Sequence, residues 1–209
     1  MRLSRLICYA VILFAFTNCA SSYKTISPKT LIYVSKTATE DVALEYKYNL
    51  LDKKYKKKED KKGIKLVAVK ITNNSGKDLT FGKDLKLVYE NGDQVFVLDN
   101  DRVYNTLRQK PASYLWYLLL TPTMLNTTSS NSSSSGIGEE TNSIPIGLVI
   151  GPGLTAGNMI AASSANKKFE EELMIYNIYG TLIKNGATEY GLIGIDSDFY
   201  EALKIKVER

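Results

Sequence analysis

The sequence predicts a mainly β protein, an antiparallel β-sandwich that carries an apolar and helical insertion in mid-chain. Short segments near both ends of its 209 residues alternate apolar and polar side chains, as half-buried strands do. Asn-Gly pairs stand beside these segments, and both residues tolerate the positive φ of a tight hairpin turn. Short strands separated by turns are typical of antiparallel sandwiches. A long stretch with almost no charge indicates the insertion.

The first half of the chain contains most of the predicted strands. Residues 42–50 alternate apolar and polar types, which is a good strand signal. Residues 64–72 form the next predicted strand, with Val67, Val69 and Ile71 on one face. Further short strands are predicted at 31–34, 79–81, 85–89 and 95–97, and the lysine-rich segment 53–63 is predicted to connect two strands.

Two Asn-Gly pairs mark predicted turns. Asn91-Gly92 divides alternating segments and is the strongest hairpin signal in the chain. Near the C-terminus, Asn185-Gly186 separates the apolar pair at 182–183 from a strand at 189–195. A last strand is predicted at 203–207, where apolar residues alternate with lysines.

The middle of the chain differs from both ends in composition. Between 111 and 166 the only charged residues are Glu139 and Glu140. A helix is predicted from about 155 to 173, because apolar residues recur there at helical spacing. The residues with that spacing are Met159, Ala162, Ala165, Phe169 and Leu173. We therefore expect a β-sandwich domain over 41–209 with an insertion at about 111–175.

The N-terminal residues have the composition of an export signal. Arg2 and Arg5 precede an uninterrupted apolar run at 6–16, and Cys19 follows closely. This order of a charged segment, an apolar segment and a cleavage site is typical of a secretory signal peptide. The apolar run is too short to span a bilayer comfortably. We therefore predict a signal peptide at 1–18 that is removed from the mature chain.

The position of Cys19 resembles the lipobox of bacterial lipoproteins, although Phe16 and Asn18 stand where the usual pattern has leucine and a small residue. The resemblance implies fatty acids such as palmitate on Cys19, a lipidated N-terminus and tether over 19–40, and a place in the bacterial cell envelope. No aspartate follows the cysteine, which by resemblance to lipoprotein sorting rules favours the outer membrane over the inner one. The alternative is an ordinary signal peptide cut near Ala20, which would give a secreted, unanchored protein.

The strand pattern resembles the small immunoglobulin-like domains of bacterial envelope lipoproteins. Two stretches carry the likeness: 65–98, and 184–207 with its Asn-Gly turn before a glycine-containing strand. The resemblance implies an immunoglobulin-like sandwich. It implies no active site, because members of that family are largely uncharacterised.

Residue types missing from the sequence exclude several kinds of chemistry. The chain has no histidine, and its two cysteines, Cys8 and Cys19, lie in the N-terminal segment. This excludes a disulfide framework in the folded part, the usual zinc and copper sites, and Ser-His-Asp or Cys-His catalysis. The net charge of +5, lowered by two when Arg2 and Arg5 leave, is too mild to indicate nucleic-acid binding. We expect no cofactor and no enzymatic activity; the alternative is an envelope hydrolase that uses paired carboxylates.

The candidate contact residues in the uncharged middle are Tyr114, Trp116, Tyr117 and Leu118. Tyrosine and tryptophan suit an interface because an apolar ring carries a polar tip. These residues are therefore the candidates for contact with a membrane or an envelope protein partner. The plainer interpretation is that they pack over an open end of the sandwich. A membrane span is disfavoured, because prolines and glycines interrupt the apolar segment at 144–162.

Two charged features also have plainer interpretations. The seven lysines between 53 and 62 could attract anionic head groups, but lysine also protects strand edges from aggregation, and we favour the latter. The aspartates at 99–101 and 196–198 could ligate calcium. Aspartate is also common in turns for local reasons, so no metal site is predicted.

Overall fold

The computed structural model describes residues 19–130 and 139–208, so the predicted signal peptide at 1–18 lies outside the described residues. Its strands are β1 (Ser35–Thr39), β2 (Val42–Lys47), β3 (Ile64–Asn73), β4 (Leu79–Thr80), β5 (Leu85–Tyr89), β6 (Val97–Leu98), β7 (Leu125–Ser130), β8 (Glu139–Ile144), β9 (Leu182–Ile183), β10 (Thr188–Asp196) and β11 (Leu203–Val207). Its helices are α1 (Lys53–Lys62), α2 (Asn100–Leu107) and α3 (Gly147–Ile175), with 3-10 helices at Pro28–Thr30 and Pro111–Leu120. The named strands pair antiparallel, as predicted, and helices share the fold with them.

The described chain forms two compact units. The smaller unit contains Cys19 and Ala20 together with the described residues of 110–130 and 139–164. The larger unit contains 21–109 together with 165–208.

Most of the predicted strands are confirmed as β2, β3, β4, β5, β10 and β11. The turn at Asn91-Gly92 also forms, with φ of +93° at the glycine and a bridge between Val88 and Gln94. The predicted strand at 31–34 is wrong, because these residues have no regular structure and the first strand starts at Ser35.

A five-stranded sheet forms the centre of the larger unit, in the order β1-β2-β3-β10-β6. Strand β3 lies in the middle of this sheet, with Val69 opposite Tyr46 of β2 on one side and opposite Gly191 of β10 on the other. All residues of β3 are buried except Lys70 and Thr72, which are half-buried. The sheet is therefore covered on both faces at its centre.

One face of β3 packs against other strands. Val67, Val69 and Ile71 lie together in one core, as their spacing predicts. Strands β5 and β11 pair with Leu87 opposite Ile205, and both of these side chains join the same core. Each buried side chain of this size contributes about 1.5–3 kcal/mol to folding. This core therefore joins the central sheet to a second layer of strands.

The other face of β3 packs against helices. Leu66 and Ala68 lie in a second core with side chains from all three helices, Val103 of α2 and Phe169 of α3 among them. A Cβ atom at Gly194 of β10 would lie only 2.1 Å from Val103 Cγ2. Glycine at this position therefore lets α2 approach the sheet closely.

The segment 53–63 connects β2 and β3, as predicted, but it forms the helix α1 rather than a hairpin connection. Tyr55 and Glu59 are its buried residues. A carboxylate oxygen of Glu59 accepts the backbone N–H of Leu66 at 2.9 Å, which ties the helix to β3. Gly63 ends the helix with φ of +62°, a conformation that glycine adopts without strain. The two buried residues on one side of the helix thus hold it in the fold, although most of its residues are lysines.

Helix α3 is longer than the predicted segment of about 155–173. It begins at Gly147 and contains Pro152, which removes one hydrogen bond from its second turn. The predicted inward positions are confirmed, because Ala162, Phe169 and Leu173 are buried.

Part of the segment 19–40, the predicted tether, is packed: Tyr23 and Ile26 are buried. A carboxylate oxygen of Glu172 accepts the Tyr23 hydroxyl at 2.7 Å and the Ile26 N–H at 2.9 Å. Burial, and then the hydrogen bond to Glu172, raise the pKa of the Tyr23 hydroxyl far above its ordinary value. The phenol therefore stays protonated and keeps donating this bond.

Gln109 and Asn166 form further hydrogen bonds that hold the N-terminal segment of the larger unit. The Gln109 side chain accepts the N–H of Ser21 at 3.0 Å and donates to the Ser21 carbonyl at 2.7 Å. Asn166 in turn bonds both backbone groups of Gln109, at 2.8 and 2.9 Å. The chain is therefore held in place at Ser21.

We predict that Glu172→Ala destabilises the larger unit and loosens its N-terminal segment. The change leaves the Tyr23 hydroxyl and the Ile26 N–H buried without their acceptor, at a cost of about 1–3 kcal/mol for each group. The measurement is the free energy of unfolding in urea, together with limited proteolysis of the segment. Glu171→Ala is the control, because Glu171 is exposed and reaches Lys167 only at 3.9 Å. Equal destabilisation by the two changes would contradict the anchoring contact.

Candidate functional site

The 3-10 helix Pro111–Leu120 carries all four candidate contact residues. Tyr114 and Tyr117 are buried, at 3% and 8% exposure, and their rings stack with centroids 6.3 Å apart. Trp116 is 74% exposed and Leu118 is 42% exposed. With three residues per turn, positions 114 and 117 share one side of this helix. Of the four, Trp116 and Leu118 are therefore the residues that another surface can touch.

The two tyrosines belong to a small core inside the smaller unit. Ala162 is buried with them, and Leu154 and Met159 pack against the cluster. The hydroxyl of Thr155 also lies 3.3 Å from the carbonyl oxygen of Tyr114. These contacts hold the 3-10 helix against the first half of α3.

Glycines let α3 begin directly against the end of the 3-10 helix. A Cβ atom at Gly147 would lie 2.2 Å from the carbonyl oxygen of Leu120, and one at Gly151 would lie 2.7 Å from Oγ1 of Thr121. The N–H of Gly147 donates to the carbonyl of Thr123 at 2.9 Å. Backbone oxygen cannot move aside as a flexible side chain can, so Gly147 is required for this approach.

Cys19 is exposed and lies beside the tyrosine pair. Burial raises the pKa of Tyr117, and the charge of the adjacent Cys19 and a hydrogen bond with it raise that pKa further. Burial also raises the pKa of Tyr114, with Cys19 again contributing. The next residue, Ala20, donates its N–H to Oδ1 of Asn158 at 2.5 Å. The cysteine is therefore held next to the 3-10 helix within the smaller unit.

The smaller unit exposes a set of large apolar side chains, which we call the apolar surface. Its members are Leu115, Trp116, Leu118, Leu119, Met124, Leu125, Ile144, Leu148, Val149 and Ile150. Leu125 and Ile144 are opposite each other in the β7–β8 pair, and the Gly147–Thr123 hydrogen bond joins the start of α3 to the segment before β7. Large exposed apolar patches mark interaction sites.

Charge is almost absent from the sequence of this unit. Between 110 and 164 the charged residues are Lys110, Glu139 and Glu140. The members of the apolar surface therefore lie in a part of the sequence with few charged residues.

Sequence reasoning found one part of the apolar surface and missed another. It selected Trp116 and Leu118. It did not select the apolar residues at 148–150 or the hydrogen bond from Ala20 to Asn158. Three consecutive apolar residues in a helix cannot all face one core, since successive side chains point about 100° apart. That pattern is the signal that could have found positions 148–150.

The aspartates considered for calcium have local partners. Asp99 accepts the backbone N–H of Arg102 at 2.7 Å and caps the N-terminus of α2. Asp196 lies 3.4 Å from the guanidinium of Arg102. Within 19–130 and 139–208, no three histidine, cysteine or acidic side chains are grouped closely enough to hold a metal ion. A helix cap and an exposed ion pair account for these two residues.

Lys56 of α1 and Lys65 of β3 have partners within the larger unit. Lys56 pairs with Glu59 and Asp60, at 2.9 and 3.0 Å. Lys56 and Lys65 place their ammonium groups over the ring of Tyr200, at 4.7 and 4.6 Å from its centroid. These contacts use part of the positive charge that an anionic ligand would require.

The larger unit contains a cavity of about 350 Å³. Its lining residues are Val97, Leu98, Asp99, Asn100, Asn177, Tyr179, Leu192 and Ile193. Asp99 is the single carboxylate in this lining, and it already caps α2. A carboxylate-dependent hydrolase requires a second carboxyl group facing the same space.

Comparison of the chain with protein-family models, curated proteins and solved structures found no match. In the part of the chain that the structure describes, no helix is both long enough and apolar enough to cross a membrane. The functional proposal therefore rests on the residues and contacts of this chain alone.

We predict that Gly147→Ala disrupts the packing of α3 on the 3-10 helix. The new methyl group would lie 2.2 Å and 2.4 Å from the carbonyl oxygens of Leu120 and Thr121, so we expect a loss of about 1–3 kcal/mol. The measurement is urea unfolding followed by the fluorescence of Trp116, the single tryptophan of the chain. Gly153→Ala is the control: beyond its chain neighbours and the backbone of its own helix, no atom lies within 4 Å of a Cβ there, and alanine favours the helix by roughly 1 kcal/mol. Destabilisation by both changes would contradict the close approach.

Proposed function

We propose that the protein is a bacterial envelope lipoprotein, acylated on Cys19, with a structural or binding function rather than a catalytic one. The observation that carries the proposal is the cysteine placed just after an apolar run at 6–16, which two arginines precede. Such an order is typical of an export signal. One acyl chain gives only marginal retention, whereas two or more hold a protein stably at a membrane. The outer membrane is the favoured location.

The surroundings of Cys19 support acylation at this position. Its side chain is exposed, so a transferase can reach the sulfur. The chain then docks at once on the folded protein, through the hydrogen bond from Ala20 to Asn158. An acylated Cys19 would therefore hold the folded protein directly at the membrane.

We infer an immunoglobulin-like sandwich as the scaffold of the larger unit. The shared core of the central sheet and the β5–β11 layer supports it, with Val69 and Leu87 among the common residues. Helices on the opposite face of the sheet are additions to that scaffold.

A binding function is supported by the apolar surface, because exposed apolar patches mark contacts with a membrane or with another protein. A hydrolase is less well supported, because Asp99 is engaged as a helix cap in the cavity that it lines. A secreted, unanchored binding protein is the alternative that the following experiment tests.

We predict that metabolic labelling with a radioactive fatty acid marks the wild-type chain and that Cys19→Ala abolishes the label. The sulfur of Cys19 is the acceptor in the proposed reaction, so its removal leaves no site for the acyl chains. Cys8→Ala is the matched control and should keep the label, because Cys8 lies within the predicted signal peptide. Equal labelling of wild type and Cys19→Ala would contradict the proposal, and an unlabelled wild-type chain in the soluble fraction would support the secreted alternative.

A further inference from the structure

We propose that the apolar surface of the smaller unit lies in the lipid bilayer beside the acylated Cys19, so that this unit is a membrane-contacting module. The inference rests on the proposed acylation and adds the occupant of the surface. The occupant is lipid, and the contact is made by the folded protein as well as by its acyl chains.

The distance between anchor and fold is the first argument. The backbone N–H of Ala20, the residue directly after Cys19, donates a hydrogen bond to Oδ1 of Asn158 at 2.5 Å. A single residue spans at most about 3.6 Å, so no flexible linker separates the acyl chains from this unit. Acyl chains on Cys19 must lie in hydrocarbon, and the surface around that residue is therefore brought to the head groups.

The second argument is the position of the apolar side chains relative to the anchor. Ala20, the residue next to Cys19, packs against the buried Tyr114 and Tyr117 of the 3-10 helix Pro111–Leu120. The same helix exposes Leu115, Trp116 and Leu119. The exposed apolar side chains therefore belong to the same helix as the tyrosines beside the anchor. A surface this close to the acyl chains is expected to enter the same bilayer.

The chemistry of the surface fits lipid as its occupant. Tryptophan is enriched where membrane and water meet, and leucine and valine partition into hydrocarbon. The start of α3 adds Leu148 and Val149, which are also exposed. The charges in the unit's sequence between 110 and 164 are Lys110, Glu139 and Glu140, and none of these residues belongs to the apolar surface. Peripheral membrane proteins bind by burying such an apolar face at the boundary of the head groups.

Trp116 provides a direct test, because it is the single tryptophan of the chain and is exposed. The full-length chain is expressed with its export signal, purified from membranes in detergent and reconstituted into vesicles of phosphatidylethanolamine and phosphatidylglycerol. In one preparation, some of the acyl chains are brominated. We expect the bromine to quench Trp116 fluorescence, the emission to shift to shorter wavelength, and aqueous iodide to lose access to the ring.

Matched variants locate the contact. Leu119→Asp places a charge on the apolar surface and should reduce quenching by bromine and restore quenching by iodide. Ile32→Asp is the control, because Ile32 is equally apolar and exposed but belongs to the larger unit. This control should behave as wild type. Both positions are exposed, so neither change is expected to unfold the protein.

Three outcomes would overturn the inference, and they separate it from the proposed function. A chain that is acylated and floats with the vesicles, yet leaves Trp116 open to iodide and unquenched by bromine, refutes lipid contact and retains the anchor. Protection from iodide without quenching by bromine, accompanied by crosslinking between copies through position 116, assigns the surface to a second copy of the chain. A chain that carries no fatty acid and does not float refutes the anchor and the inference together.

Discussion

The burial of strand β3 on both faces is the constraint on which the larger unit depends. Its odd-numbered apolar residues, such as Val67 and Val69, enter the core shared with β5 and β11. Its even-numbered ones, such as Leu66 and Ala68, enter the core shared with the helices. A slip of one residue in the pairing would exchange the two sets. The register with β2 and β10 therefore fixes which elements can cover each face.

The helical face needs polar contacts as well as apolar ones, since helices and loops bring backbone N–H groups into a buried region. Glu59, Glu172 and Asn166 supply acceptors there, to Leu66, to the N-terminal segment and to Gln109. Over the described residues, every buried side-chain nitrogen or oxygen has a hydrogen-bond partner. Because an unmade bond of this kind is costly, these contacts define a single position for each segment that they join.

The smaller unit buries fewer of its apolar side chains. Its core is small, formed around Tyr114, Tyr117 and Ala162, and many of its large apolar side chains remain outside. Exposed apolar area is unfavourable in water, so a surface of this extent is explained when something apolar covers it. In our proposal lipid covers this surface, because the adjacent Cys19 carries the acyl chains. Anchor and surface would then act together, because acyl chains place the unit where its apolar side chains leave water.

Local patterns in the sequence determined most strands, the turn at Asn91-Gly92 and the inward positions of α3, because each depends on the spacing of a few neighbouring residues. The lysine-rich segment could not be read in this way. Its helix is packed through Tyr55, which donates to Asn166 from a distant part of the chain, and through Glu59, which accepts from Leu66 of the next strand. Tertiary structure also decided that Trp116 is exposed while its neighbour Tyr117 is buried. Both kinds of position look alike in sequence, and only long-range packing determines which side chains a core has room to accept.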